Sequence, residues 1–151
     1  MRESFEQRRV SLAKLISGDE HKRPFKLKPG ESLSAMRHRI YECERLRDFS
    51  WGKVAAYERA FSFGADFPPV FVFDLNGSLF LQDGWHRCAA AAIGGHDSIS
   101  AVVFRISSAE EGDFLSALLF DLRDSGTPWC DSVRSAGVFL RARRGVGEAA
   151  E

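Results

Sequence analysis

The sequence predicts a small α/β (α+β) domain built on a short mixed sheet with flanking helices, and three observations carry that expectation. The run VFVFDL after Pro68-Pro69 is continuously apolar, as in a strand buried on both faces. Asn76-Gly77 follows, a pair that readily takes the positive φ of a two-residue hairpin turn, and SLFLQ returns as the partner strand. An alanine-rich stretch closed by Gly94-Gly95 then separates the hairpin from a further apolar run, SISAVVFRI. A helix between strands is the mark of an α/β layer arrangement.

The remaining elements follow in chain order. The opening residues are polar and are expected to be loose as far as RRVSLAKLI, where Val10, Leu12 and Leu15 suit one short strand ending in a turn at Ser17-Gly18. GDEHKRPFKLKPGE is charged, holds two prolines and reads as loop. From Ser32 or Ser34 to Arg47 the spacing of Met36, Ile40, Tyr41 and Cys43 predicts an amphipathic helix. Ser50 is placed to cap a second helix through WGKVAAYERAFSF, which Gly64 ends. Asp83–Ile93 reads as the alanine-rich helix. Ser108 with Glu111 forms a capping box for a helix to about Arg123, and Pro128 opens a last helix from Trp129 to about Arg143. These elements make one domain over residues 1–142, with residues 143–151 as a flexible tail.

Composition narrows the function. The 151 residues are 44% hydrophobic and 28% charged with no net charge, which argues against a protein that lives by gripping a nucleic-acid backbone. The charge is uneven: Met1 to Ser50 holds 12 Lys and Arg against 8 Asp and Glu, so the basic segment HKRPFKLK keeps a DNA contact in view. Cys43, Cys88 and Cys130 are scattered, and with four histidines they form no zinc spacing, so no metal site is expected. Unclustered cysteines and a polar N-terminus without an apolar signal region suit a cytoplasmic protein with no membrane association.

The stretch LFLQDGWHRCAAAAIGGHD carries the chemistry. Gln82, Asp83, Gly84, Trp85, His86 and Arg87 fall where a strand passes into a helix, and the first turn of a helix presents unpaired N–H groups and a positive dipole end. Gly84 lets the backbone approach a ligand, and Arg87 can fork onto a phosphate. His86 can donate to an oxyanion or move a proton, while Asp83 can cap the helix, orient His86 or hold a nucleotide's magnesium. Asp83 and His86 are the candidate catalytic groups. Trp85 either lines a pocket, stacks on a base or is buried. Phe71, Phe73, Phe80, Phe104, Phe114 and Phe120 read as packing.

FPPVFVFDLNGSLFLQDGWHRCAAAAIGGHDSISAVVF resembles the N-terminal domain of the ParB/sulfiredoxin superfamily. Leu81–Ala91 matches its (I/L)-x-D-G-x-H-R-x-x-A-A segment, and the resemblance runs from Val54 to Phe104, then more loosely to about Leu140. It implies a nucleoside triphosphate, ATP or CTP with Mg²⁺, whose phosphates meet Gly84, His86 and Arg87. Departures accompany the match. Sulfiredoxins carry G-G-C-H-R, and Trp85 stands where that thiol would be. Partition-type ParB proteins carry E-N-x-Q-R, and this chain has LLFDLRD, where Asp121 or Arg123 is the substitute. Stand-alone members carry A-N-x-x-x-G-x-x-x-T-x-x-D, whose acidic position is matched by Asp131. Some members are amino-acid kinases with an upstream acidic base, for which Glu31, Glu42 and Glu44 are the candidates, and some place a phosphate-binding arginine where Arg23 lies.

The sequence therefore points to a binder of a nucleotide or phosphorylated small molecule, with NTP hydrolysis or small-molecule phosphotransfer left open. The alternatives are a DNA-associated nuclease or accessory module, and a degenerate domain serving as a protein-interaction scaffold. Homodimerisation also stays open.

Overall fold

A computed structural model describes residues 4–17, 22–42 and 50–150. Its elements are β1 (Phe5–Ser11), a 3₁₀ turn (Leu12–Lys14), β2 (Leu15–Ile16), α1 (Leu33–Tyr41), α2 (Ser50–Ser62), β3 (Val70–Leu75), β4 (Ser78–Asp83), α3 (Trp85–Ile93), β5 (Ser98–Arg105), α4 (Ala109–Asp124) and α5 (Trp129–Ala150). The five strands form one sheet in the order β1-β5-β3-β4-β2. It is mixed, as the sequence predicts: β3 lies parallel to β5 and antiparallel to β4, β1 runs antiparallel to β5, and β2 runs parallel to β4.

The two-residue period of the strands divides the core into two layers. Val70, Val72, Ala101 and Val103 face a cluster with Met36, Ile40, Val54 and the alanines of α3. Phe71, Phe73, Val102 and Phe104 face the other way, onto Leu115 and Leu119 of α4 and Val133, Ala136 and Leu140 of α5. The continuous apolar runs of β3 and β5 are explained by this double coverage. Ala89 to Ala92 are all buried, because a helix of small side chains can lie close to the sheet. The hairpin forms as its sequence requires, with Asn76 at φ 53° and Gly77 at φ 90°.

Four expectations need correction. The chain is ordered in the described structure from Ser4, and the single N-terminal strand is two strands split by the 3₁₀ turn and placed on opposite edges of the sheet. The polar sequence FEQRRVS hid β1 because Glu6, Gln7, Arg8 and Arg9 are exposed along a sheet edge, where charged side chains are common. Asp83 is the last residue of β4 rather than a helical residue or cap: Gly84 takes the N-cap position of α3 with φ 110° and no side-chain cap. Phe114 and Phe120 are 52% and 37% exposed, so they are not core residues. Finally, α5 continues past Arg143 to Ala150.

The expected helix to Arg47 is described as Leu33–Tyr41, capped by Ser32, whose Oγ accepts from the Ala35 N–H. Gly18, Cys43 and Glu44 lie outside the described residues. Ser108 Oγ accepts from the Glu111 N–H as the capping box predicts, while the Glu111 carboxylate accepts from the Ser107 N–H. That buried carboxylate also pairs with Arg143 at 3.1 Å, and Arg144 donates to the Arg105 carbonyl. These two arginines thus tie α5 to the sheet and to the start of α4, a role beyond the helix dipole.

Candidate functional site

The strand-to-helix junction is built by three local departures from regular structure. Phe71 pairs with Asp83 while Val72 pairs with Leu81, so Gln82 is an extra residue bulged out of β4. A bulge turns the strand locally and re-aims the side chains beside it. Gln82 Nε2 donates to Ser116 Oγ on α4 at 3.3 Å, linking the bulge to the opposite layer. Gly84 then adopts positive φ, with its Cα face so close to β3 that a Cβ would lie 2.4 Å from Val70 Cγ1. Only glycine lets the chain turn there. The Cys88 N–H bonds the Gly84 carbonyl, so Trp85, His86 and Arg87 form the first turn of α3, whose N–H groups lie at the positive end of the helix.

A cleft of about 590 Å³ opens over this turn. Gln82, Asp83, Gly84, Trp85, His86 and Arg87 all line it, so every residue of the sequence-predicted binding set reaches one place. Lys53 and Tyr57 of α2 and Phe120 and Arg123 of α4 complete it. Arg123, named from sequence only as a substitute for a missing motif, donates to Asp83 Oδ1 at 3.3 Å and lies over the Phe120 ring, 4.8 Å from its centroid. Among the described residues, the lining carries the cationic side chains of Lys53, Arg87 and Arg123 and the carboxylate of Asp83.

The individual side chains differ from one another in readiness. Arg87 donates through Nη1 to the carbonyls of Pro68 at 2.5 Å and Pro69 at 3.3 Å, so it also holds the lead-in to β3. Trp85 is buried, with its ring centroid 5.6 Å from that of Phe25, so its ring packs in the core beneath the cleft it lines. His86 is half-buried and sets its ring edge-on to Trp85. Cys88 is fully buried and burial pushes its thiol up to about 12, so it is no nucleophile.

Other sequence candidates lie elsewhere. Glu31 makes two hydrogen bonds with Arg39, at 2.8 and 2.9 Å, and Arg39 also donates to the carbonyls of Pro24 and Lys26. That pair clamps the loop onto α1 and does not line the cleft. Glu42 pairs with His38, and Asp131 sits 3.7 Å from Arg134 in the first turn of α5. Arg23 lines a separate cleft of about 520 Å³ with Lys14 and Lys26. Asp121 is exposed and is not among the residues lining the main cleft. Lys53, Tyr57 and Phe120 were missed as site residues. Their only local signals are spacings, Lys53 with Tyr57 at i, i+4 and Phe120 with Arg123 at i, i+3.

No protein-family model matches the chain, and no curated protein matches it. Two solved structures are similar in fold. Sulfiredoxin from Arabidopsis thaliana is 15% identical, with 67% of this chain and 86% of that one covered and a TM-score of 0.46. The Pnob8-like ParB-N domain is 16% identical, with 83% of this chain and 40% of that one covered and a TM-score of 0.49. Among the described residues no helix is long and apolar enough to cross a membrane.

Proposed function

We propose that the cleft over Gly84–Arg87 binds a nucleotide or another phosphorylated ligand. The observation that supports this reading is convergence: cations from α2, α3 and α4 meet the first turn of α3 in one cavity. Backbone N–H groups and a dipole end stabilise an anion, and an arginine adds planar, two-pronged hydrogen bonding. Tyr57 and the exposed ring of Phe120 give a base two aromatic surfaces in the same cavity.

Among the described residues, Asp83 is the one carboxylate of the lining and no group of three metal-binding side chains occurs. This fits Mg²⁺ carried in by a triphosphate, with Asp83 as its one protein ligand, better than a metal bound by the protein alone. The metal would neutralise phosphate charge. In a hydrolase or phosphotransferase reading, Asp83 or His86 would accept the proton of the attacking hydroxyl.

The test is thermal unfolding of the chain across ATP, CTP, GTP and UTP, each with and without Mg²⁺. A ligand at a hundred times its dissociation constant adds about 2.7 kcal/mol, a shift of several degrees. A flat panel to millimolar ligand overturns the proposal. DNA association is the second reading, favoured by the separate cleft lined by Lys14, Arg23 and Lys26. Its mark would be salt-dependent retardation of a duplex, lost when those three are replaced by Gln.

A further inference from the structure

We infer that β1 is a pairing edge for a second copy of this chain, in the one register that its charges select. Among the described residues β1 is an outermost strand of the sheet, and its register with β5 runs the full seven residues without a bulge. Such edges are guarded by a bulge, a proline or charge, and FEQRRVS offers only charge. The Arg105 N–H donates to the Ser4 carbonyl, and the Leu12 N–H donates to the Asp97 carbonyl. Antiparallel strands exchange bonds at alternate residues, so Ser4, Glu6, Arg8 and Val10 are the ones bonded to β5. The N–H and carbonyl groups of Phe5, Gln7 and Arg9 therefore point outward. Glu6 to Arg9 are exposed, and bonds to the Oγ and carbonyl of Ser98, at 2.8 and 2.9 Å, draw the Arg9 side chain back onto β5.

Charge guards an edge only in registers that bring like charges together. Two copies related by a two-fold axis normal to the sheet pair antiparallel, with like faces together and every contact made twice. Centred on Glu6, the pairing sets two carboxylates opposite each other. Centred on Arg8 or Arg9, it sets two guanidiniums opposite, and both arrangements repel. Centred on Gln7, it sets Glu6 of each copy opposite Arg8 of the other. Within one chain Arg8 Nε already lies 3.1 Å from Glu6 Oε1, so the four side chains close a ring of alternating charge. Arg105 flanks that ring from β5, 3.3 Å from Glu6. Glu6 and Arg8 take the non-hydrogen-bonded positions of the new ladder, where cross-strand side chains lie closest. The same register satisfies the outward backbone: Gln7 bonds Gln7, and Phe5 bonds Arg9 in both directions. The Arg9 carbonyl, which accepts from its own Arg8 at 3.4 Å, gains the Phe5 N–H of the second copy. β5 and β3 lie between β1 and β4, so the joined sheet keeps both α3 clefts away from the shared edge.

The experiment is sedimentation velocity of the full chain. A small, polar interface holds with a dissociation constant weaker than about 1 μM, so loading runs from about 1 μM to about 1 mM. The parent chain is expected to form a reversible dimer within that range. Glu6→Arg and Arg8→Glu each set two like-charge pairs across the edge and should weaken the dimer by about tenfold or more. Mixed together, these two variants should associate with each other, because the arginines of one then oppose the carboxylates of the other. The double variant Glu6→Arg/Arg8→Glu should recover self-association for the same reason. Gln7→Pro removes an outward N–H and spares the bonds to β5, so it should abolish the dimer and leave the melting profile unchanged. Every variant is first checked by melting, and where Gln7→Pro melts early the exposed charge variants carry the test. A parent chain monomeric throughout overturns the inference. A dimer that ignores both single charge variants, or no recovery in the mixture and the double variant, overturns it too.

Discussion

Gly84→Ala tests the geometry on which the cleft depends. The new Cβ would lie 2.4 Å from Val70 Cγ1 and 2.8 Å from Val70 Cβ, distances at which side-chain or backbone atoms must shift. Val70 is fully buried in β3, so the methyl cannot be accommodated by rotating it into solvent. Backbone strain adds to the clash, since φ 110° is unfavourable for any residue with a Cβ. Strain of this kind costs about 1–3 kcal/mol and an overpacked methyl costs about as much again, so about 3 kcal/mol is expected in total. For a domain of this length each kcal/mol lowers the melting temperature by about 2–4 °C, giving a drop of about 6–12 °C. Circular dichroism melts of the parent, Gly84→Ala, Val70→Ala and the double variant separate the two causes. Val70→Ala removes the clashing Cγ1, so it should cost at least about 1 kcal/mol less in the Gly84→Ala background than alone. A Gly84→Ala variant melting within about 2 °C of the parent would refute the tight turn, and the placement of the α3 N-terminus with it.

Three further outcomes follow from the same structure. Arg87→Ala should lose phosphate binding in calorimetry and also cost about 1–2 kcal/mol of stability in urea, because it leaves the Pro68 and Pro69 carbonyls without their donor. Unchanged stability would show that Arg87 does not hold that segment. Arg39 holds the Glu31 carboxyl at about 2, below the ordinary 4.5, so this contribution is present in full above the ordinary value and fades as pH falls toward 2. Glu31→Gln should therefore lower the urea midpoint at neutral pH and flatten its decline in that acid window, and a parallel decline in both proteins would be the contrary result. Cys88 is buried with its thiol pushed up to about 12, whereas Cys130 is exposed. A thiol reagent at pH 8 should label Cys130 in the native protein and Cys88 only after unfolding, as read by peptide mass spectrometry; native labelling of Cys88 would contradict its packing.

The parts of the fold legible in the sequence are those fixed by neighbours along the chain. Asn76-Gly77 dictates its hairpin through φ alone, Ser108 and Ser32 announce helix starts by bonding N–H groups three residues on, and VFVFDL reports coverage of both faces. Gly84 and the helix start were legible for the same reason, since they are consecutive in the chain, whereas the bulge at Gln82 shows only in the pairing of β4 with β3. β1 was not, because an edge strand needs no apolar alternation on its exposed side, and Glu6 to Arg9 resemble a loop until β5 is there to pair with them. The other half of the cleft was hidden by a longer-range cause. Lys53 and Tyr57 come from α2, which packs with one core layer, while Phe120 and Arg123 come from α4, which packs with the other. The two helices can meet only around the end of β4, where the Gln82 bulge reaches Ser116 of α4. A basic or aromatic residue on the flank of a helix has no local pattern to distinguish cavity from solvent. It becomes a site residue only once the sheet order decides which strand end that flank overhangs. The same logic explains why Arg123 rather than Asp121 enters the cleft: two positions apart on α4, they face directions about 200° apart, and only one of these overlooks Asp83.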